Sequence, residues 1–215
     1  MSGGSGEYYI SLGREDYYTS GGEPPGRWLG EGARSLGLSG EVDKDAFRNL
    51  LTGHSPKGLP LIQNAGDADH QPGWDFTFSA PKSVSVIWSQ ADSHTRKIIQ
   101  DAHREAVERA VSFLEETESF TRRGKGGDIL ERAELVIAGF EHGTSRAQDP
   151  QLHTHALIFN VCVRDDGTTG TILSKPLFKA KMAAGAIYRA ELAHQLEKRL
   201  NLEIERKERV FEVAD

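Results

Sequence analysis

Three histidines set at strand spacing are the residues of this chain best suited to chemistry. His142-Gly-Thr-Ser-Arg-Ala-Gln-Asp-Pro-Gln-Leu-His153-Thr-His155 runs into the apolar stretch Ala156-Leu-Ile-Phe-Asn-Val-Cys-Val163. Strand side chains alternate between faces, so His153 and His155 share one face of a strand expected to begin at about Leu152. Leu157, Phe159, Val161 and Val163 continue that face. Leu152, Ala156, Ile158 and Cys162 make the other face apolar as well, the mark of a central strand. His142 closes a second strand-like run, Glu134-Leu-Val-Ile-Ala-Gly-Phe-Glu141, in phase with Val136, Ala138 and Phe140. If the two strands are neighbours, three imidazoles converge at one edge of a sheet. Three neutral imidazoles suit a divalent cation, leaving its charge uncancelled and coordination positions open. Such a cation can grip the non-bridging oxygens of a phosphodiester as a Lewis acid. A lone histidine would instead be read as half-buried and bonded to backbone; the three together favour a metal.

Other residues could serve the same site. The N-terminal stretch carries two tyrosine pairs, Tyr8-Tyr9 and Tyr17-Tyr18, with Gly13 between them. Glycine disfavours one rigid helix, so both pairs could approach one spot. Tyrosine pairs are usually packing or surface residues, and alone these would imply no catalysis. Asp75 lies in Gly73-Trp-Asp-Phe-Thr-Phe-Ser79, whose aromatic residues alternate with polar ones as in a strand with one polar face. Strands tend to exclude Asp, which tilts Asp75 toward a role in a site.

The elements that must position these residues read as follows. Residues 1–30 are expected to form helix fragments and loops without a strand. A short helix follows Asp43, its N-cap, and ends at Gly53; 54–72 is a polar loop. Pro81 breaks the Asp75 strand, and Ser83 to Trp88 reads as a resumed extended run. Residues 93–118 carry apolar residues at helical spacing, with His94 and His103 among charged neighbours and therefore expected on the surface. Thr121–Asp128 is a basic, glycine-containing turn. Arg164-Asp-Asp-Gly167 is a hairpin turn, with a short partner strand from Gly170. A second long helix opens at Ser174 and runs to about Leu200, and 202–213 reads as a terminal hairpin. The expected fold is α+β, with helices packed on an antiparallel sheet.

The 215 residues suffice for one sizeable domain, and 37% hydrophobic with 27% charged content is that of a soluble globular protein. No run approaches the ~18 apolar residues of a membrane span. The N-terminus lacks the charged and apolar regions of a signal peptide. One cysteine, Cys162, allows no internal disulfide, so a cytoplasmic protein is expected. A net charge of −6 argues against a nonspecific nucleic-acid binder. It leaves room for a protein that reaches phosphate through a metal and a local basic patch. Arg122, Arg123 and Lys125, or Lys175, Lys179 and Lys181, could form that patch, although a solvated face or loop is the better explanation of both.

The paired tyrosines, the block Asp75-Phe-Thr-Phe-Ser-Ala-Pro-Lys-Ser-Val-Ser85, Gly-Leu-Ser-Gly-Glu-Val-Asp at 37–43 and the His142…His153-Thr-His155 motif together resemble the TrwC/TraI (MobF-type) conjugative relaxases of the HUH endonuclease superfamily. The resemblance runs from about Glu7 to the C-terminus. It implies a palm-like antiparallel sheet and site- and strand-specific nicking of DNA at an origin of transfer, through a covalent 5′-phosphotyrosine. His142, His153 and His155 match the family's metal triad, with Mg²⁺ or Mn²⁺ as the implied ion; three imidazoles would also take Zn²⁺ or Ni²⁺. Tyr8 matches the tyrosine of the first cleavage and Tyr17 that of the terminating transfer, with Tyr9 and Tyr18 as their pair partners. Asp75 matches the acidic residue that orients a histidine and assists the tyrosine. Trp74, Trp88, Lys82 and Arg146 are candidates for contact with DNA. Implied partners are single-stranded DNA, the origin-of-transfer hairpin, accessory relaxosome proteins and a type IV secretion coupling protein, without membrane insertion. On this comparison 1–215 is one relaxase domain cut short at its C-terminal end. The strand the family places ahead of the first tyrosine pair is either replaced or truncated too. A rolling-circle replication initiator and a non-catalytic hairpin-binding module are the alternative readings.

Overall fold

Two long strands, apolar on both faces, make the centre of the sheet. A computed structural model of the chain describes residues 24–145, 147–206 and 210–213. β5 (Glu134–Thr144) and β6 (Pro150–Val163) pair antiparallel, and β6 begins two residues before the expected Leu152. β2 (Gly73–Ser79) lies on the far side of β6, and β1 (Arg27–Leu29) pairs with β5, giving the order β1-β5-β6-β2; β7 (Thr169–Gly170) also pairs with β6. The expected antiparallel α+β layer is what forms.

Each face of the sheet buries a different set of residues, as period-2 alternation requires. Leu135, Ile137, Leu152, Ile158 and Cys162 face two long helices, α4 (Ser93–Glu118) and α5 (Ser174–Leu200). Val136, Ala138, Phe140, Leu157 and Phe159 face α1 (Glu31–Ser35) and α2 (Lys44–Leu51). On α2, Asp43 caps the first turn by accepting from the Ala46 N–H, as expected. Phe47 of that helix meets Phe140 and Phe159 edge-on, with centroids 5.5 and 5.6 Å away. The face under α2 is the one that carries the three histidines.

Several expectations are corrected. Ser83 to Trp88 is not extended: Lys82–Gln90 forms α3, with Pro81 at its N-cap. Proline fixes φ and lacks an N–H, so it starts a helix as readily as it ends a strand. Val84, Ile87 and Trp88, at helical spacing, then pack on the core. Residues 1–30 do contain a strand, β1, too short for alternation to reveal. The basic turn is the tip of a hairpin between β3 (Phe120–Arg123) and β4 (Ile129–Arg132). His103 is wholly buried, not on the surface. The terminal hairpin forms as β8 (Ile204–Arg206) with β9 (Phe211–Val213).

Candidate active site

Strand register brings the histidines together. His142 lies directly opposite His153 across β5 and β6, and Phe140 opposite His155. On the other side of β6, Thr77 pairs with His155, Ser79 with His153 and Asp75 with Leu157. The polar face of β2 is therefore the histidine face, with Asp75 diagonal to His155, within reach of a long side chain. The ring centroids stand 5.3 Å (His142–His153), 5.4 Å (His142–His155) and 5.1 Å (His153–His155) apart.

Hydrogen bonding settles the tautomers. A carboxylate and a carbonyl oxygen can only accept, so Nδ1–H of His155 donates to Asp75 Oδ2 at 2.6 Å, and Nδ1–H of His153 donates to the Gln151 carbonyl at 2.8 Å. With the donated proton on Nδ1, the lone pair available to a cation in either ring is that of Nε2, the arrangement second-shell partners impose on metal-ligating histidines. Burial, then the neighbouring His155 and His153, push the His142 pKa down to about 4, so this ring is neutral at pH 7. The other carboxylate oxygen, Asp75 Oδ1, is buried and has no hydrogen-bond partner among the described residues.

This donor set fits a divalent cation. Three imidazoles bound tetrahedrally at about 2.1 Å, with each centroid about 1.1 Å behind its nitrogen, would have centroids about 5.2 Å apart. Among the described residues the donors do not close into a coordination cluster as they stand. The His142 and His153 rings stack at 26°. Rotation about χ2, a broad and soft torsion, brings the nitrogens inward at small cost. The spacing, fixed by backbone register, is the stronger indicator.

The other sequence-derived candidates fall in three places. Lys82 donates from Nζ to the Pro150 carbonyl at 3.1 Å, which sets its ammonium at the histidine end of β6. The Trp88 ring lies against Gly143, where an added Cβ would stand 2.5 Å from its Cη2. Trp74 instead lines a cleft of about 1080 Å³ with Arg122, Arg123, Arg164 and Asn160. Asn160 is seven residues along β6 from His153, roughly 23 Å at a rise of ~3.3 Å per residue. Tyr8, Tyr9, Tyr17, Tyr18 and Arg146 lie outside the described residues.

Sequence reasoning missed Arg164 and the polar residues behind the sheet. His103 is held between Tyr188 and Thr154, while Glu141 accepts from Arg104 Nε at 2.8 Å and from Gln100 Nε2 at 3.0 Å. The helical phase of Ile99, Ala102, Ala106 and Ala110 places His103 on the buried side, a signal the charged neighbours masked.

Comparison with known proteins identifies the family. The family model described as TrwC relaxase matches residues 2–215. The multifunctional conjugation protein TraI of Escherichia coli is 39% identical over 208 residues, covering 91% of this chain and 11% of the relative. The chain thus spans about a ninth of that protein's length. A metal-bound structure of the conjugative relaxase TrwC with oriT DNA matches at a TM-score of 0.84 and 37% identity, over 97% of this chain and 72% of that one. TrwC with a 27-mer DNA comprising the recognition hairpin and the cleavage site matches at 0.80 and 39%, over 95% and 71%. The α+β layer is accordingly the relaxase fold, and with nearly every residue matched the chain belongs to the TrwC relaxase family.

Proposed function

We propose that this chain nicks one DNA strand at the origin of transfer of a plasmid or other mobile element and transfers that strand in conjugation, through a covalent 5′-phosphotyrosine. The observation that carries the reading is the trio of imidazoles at one sheet edge, with Asp75 bonded to His155 on one oxygen and a second, buried oxygen that has no hydrogen-bond partner among the described residues. His142, His153 and His155 would hold a divalent cation, Mg²⁺ or Mn²⁺ by family, and the donor set also accepts Zn²⁺ or Ni²⁺. Bound there, the cation supplies Lewis-acid stabilisation of charge on the non-bridging phosphate oxygens.

The protein's own residues would do the rest. A phenol has a pKa of about 10 and is a poor nucleophile at neutral pH without a base. Asp75 Oδ1, buried and otherwise unsatisfied, is suited to take the phenolic proton of Tyr8. The tyrosine oxygen bonds to phosphorus, the bond from phosphorus to the 3′ oxygen breaks, and the leaving oxygen picks up a proton as the free 3′ hydroxyl. The phosphotyrosine keeps the bond energy, so a second hydroxyl can reseal the strand without ATP. Tyr17 would act in that terminating transfer, with Tyr9 and Tyr18 beside the two nucleophiles. Lys82, held near the histidine end of β6, would meet a phosphate next to the scissile one, and Arg146 would hold another. Trp74 offers a stacking surface in the arginine-lined cleft.

The chain would work with single-stranded DNA, the origin hairpin, relaxosome proteins and a secretion coupling protein, in the cytoplasm. Among the described residues no helix is long and apolar enough to cross a membrane.

A denaturing-gel assay for covalent protein–DNA adducts tests the reading, using the chain and origin-containing single strands with Mn²⁺ or EDTA. An Mn²⁺-dependent adduct that maps to Tyr8 and disappears in Tyr8→Phe and His153→Ala supports it. Hairpin binding by the wild type without any adduct would make the chain a binding module instead.

A further inference from the structure

Behind the three histidines, on the face of the sheet turned to the helices, lies a row of buried polar residues that the chemistry above does not use. Thr154 sits between His153 and His155 on β6 and points the opposite way. Glu141 precedes His142 on β5, and Glu141 and Thr154 are register partners, just as His142 and His153 are. One cross-strand pair thus carries imidazoles on the front, and the adjacent pair carries polar side chains on the back.

Helix α4 grips that back pair. His103 is wholly buried; its Nε2 lies 2.8 Å from Thr154 Oγ1 and its Nδ1 2.8 Å from the hydroxyl of Tyr188 on α5. Gln100, about one turn earlier, and Arg104, the next residue, hold the Glu141 carboxylate. An imidazole, a phenol and a threonine hydroxyl would be costly in an apolar layer unless bonded to one another, and together they are satisfied. They tie β6 to α4 and α5 at Thr154, the residue between His153 and His155.

We propose that His103, with Tyr188 and Thr154, is a positioning residue for the metal site, acting through the β6 backbone to aim His153 and His155. The inference rests on the metal-binding reading of the three histidines. It predicts that the cation's affinity depends on bonds made on the far side of the sheet.

The test is titration of metal-free protein with Mn²⁺ and Co²⁺ by calorimetry, with the Co²⁺ visible spectrum and the thermal midpoint recorded for each variant. Thr154→Val keeps the shape but removes the hydroxyl, Thr154→Ser restores a hydroxyl, and Tyr188→Phe removes the outer member. Outer-shell partners of metal ligands are worth about ten- to hundredfold in affinity. Acting through one intervening backbone unit, Thr154→Val should weaken binding by about tenfold and alter the Co²⁺ spectrum, and Thr154→Ser should bind within about twofold of wild type.

Ser119→Ala is the control for a purely structural effect. It removes an equally buried bond, from Ser119 Oγ to the Ala133 carbonyl, far from the histidines in sequence. It should lower the midpoint and leave affinity and spectrum unchanged. If Thr154→Val and Tyr188→Phe behave like Ser119→Ala, losing stability with unaltered metal affinity, the positioning role is overturned. If wild-type protein binds neither ion, the metal reading itself fails and the inference falls with it.

Discussion

Removing the Asp75 carboxylate separates the two tasks that the proposed function gives to one side chain. Asp75 and His155 are only 17% and 21% exposed, and their 2.6 Å contact is a hydrogen bond to a charged acceptor, worth about 1.5–3 kcal/mol net. Asp75→Ala leaves the Nδ1–H of His155 without its carboxylate and no longer favours the tautomer with its lone pair on Nε2. Metal affinity should fall by about ten- to hundredfold, the range seen when an outer-shell partner is lost. Asp75→Asn keeps an oxygen that can accept but loses the charge, and neutral hydrogen bonds have about half the strength of charge-assisted ones. Its loss should be about 1 kcal/mol, roughly fivefold in affinity. The expected order of dissociation constants is therefore wild type, then Asn, then Ala, read by calorimetry on metal-free protein at pH 7.5 with thermal melts to confirm folding.

The second task appears only at saturating metal. There the difference in occupancy vanishes, and what remains of Asp75 is its buried, unpartnered oxygen. If that oxygen accepts the phenolic proton, cleavage by Asp75→Asn should stay slower by about 10²–10⁴, the usual contribution of a general base. Full recovery of cleavage at high Mn²⁺ would leave Asp75 as an orienting residue only. A folded Asp75→Ala protein that binds metal within twofold of wild type would refute the argument from the His155 contact altogether.

Two further outcomes follow from packing and burial. Gly143→Ala places a methyl 2.5 Å from Trp88 Cη2, and a rigid indole wedged against the core cannot yield without moving α3; the cost should be about 1–3 kcal/mol, seen as a lowered thermal midpoint. Acid stability should depend on His103, whose pKa burial lowers from 6.5 to about 3. The folded state disfavours the charged ring, so this contribution is fully present above pH 6.5 and is lost as pH falls from there toward 3. The loss should reach about 2 kcal/mol at pH 5. Denaturant titrations from pH 7 to 5 should show a shallower decline for His103→Gln than for wild type, and parallel declines would overturn the assignment.

What could be read from the sequence followed the physics of each element. The His-x-His face was legible because strand alternation is strict and the flanking residues are apolar on both sides, so phase alone sorted His153 and His155 from Thr154. Asp75 stood out as a carboxylate among aromatics. The α3 run was misread because Ser-Val-Ser-Val imitates strand alternation, and only the proline before it and the spacing of Val84, Ile87 and Trp88 reveal a helix. β1 is three residues long and is held by its partner β5 rather than by its own pattern. His103 was misplaced because Asp101, Arg104 and Glu105 gave its surroundings the look of solvent, while its phase on the helix pointed inward. Bonds such as His103 to Thr154, between residues 51 positions apart, depend on how helix and sheet are stacked, which local pattern does not contain.

On the proposed reading an acidic chain must handle DNA, and the distribution of charge bears on how it could. Three arginines line the cleft beside Trp74, but Arg123 is engaged by Glu131 and Asp166, and Arg164 by Glu131. Arg122 donates to the Gly127 carbonyl instead of to a carboxylate. A surface whose guanidinium groups are largely offset cannot supply the many phosphate neutralisations on which nonspecific binding depends. These arginines have geometry to offer rather than bulk charge, since ion pairing holds their planar groups in place beside the indole and limits attraction to arbitrary duplex. Net charge of −6 works in the same direction, repelling polyanions that present no fitting shape. On the proposed reading, the concentrated positive charge arrives only with the cation on His142, His153 and His155. A phosphodiester is then favoured at the single point where bond breaking is wanted.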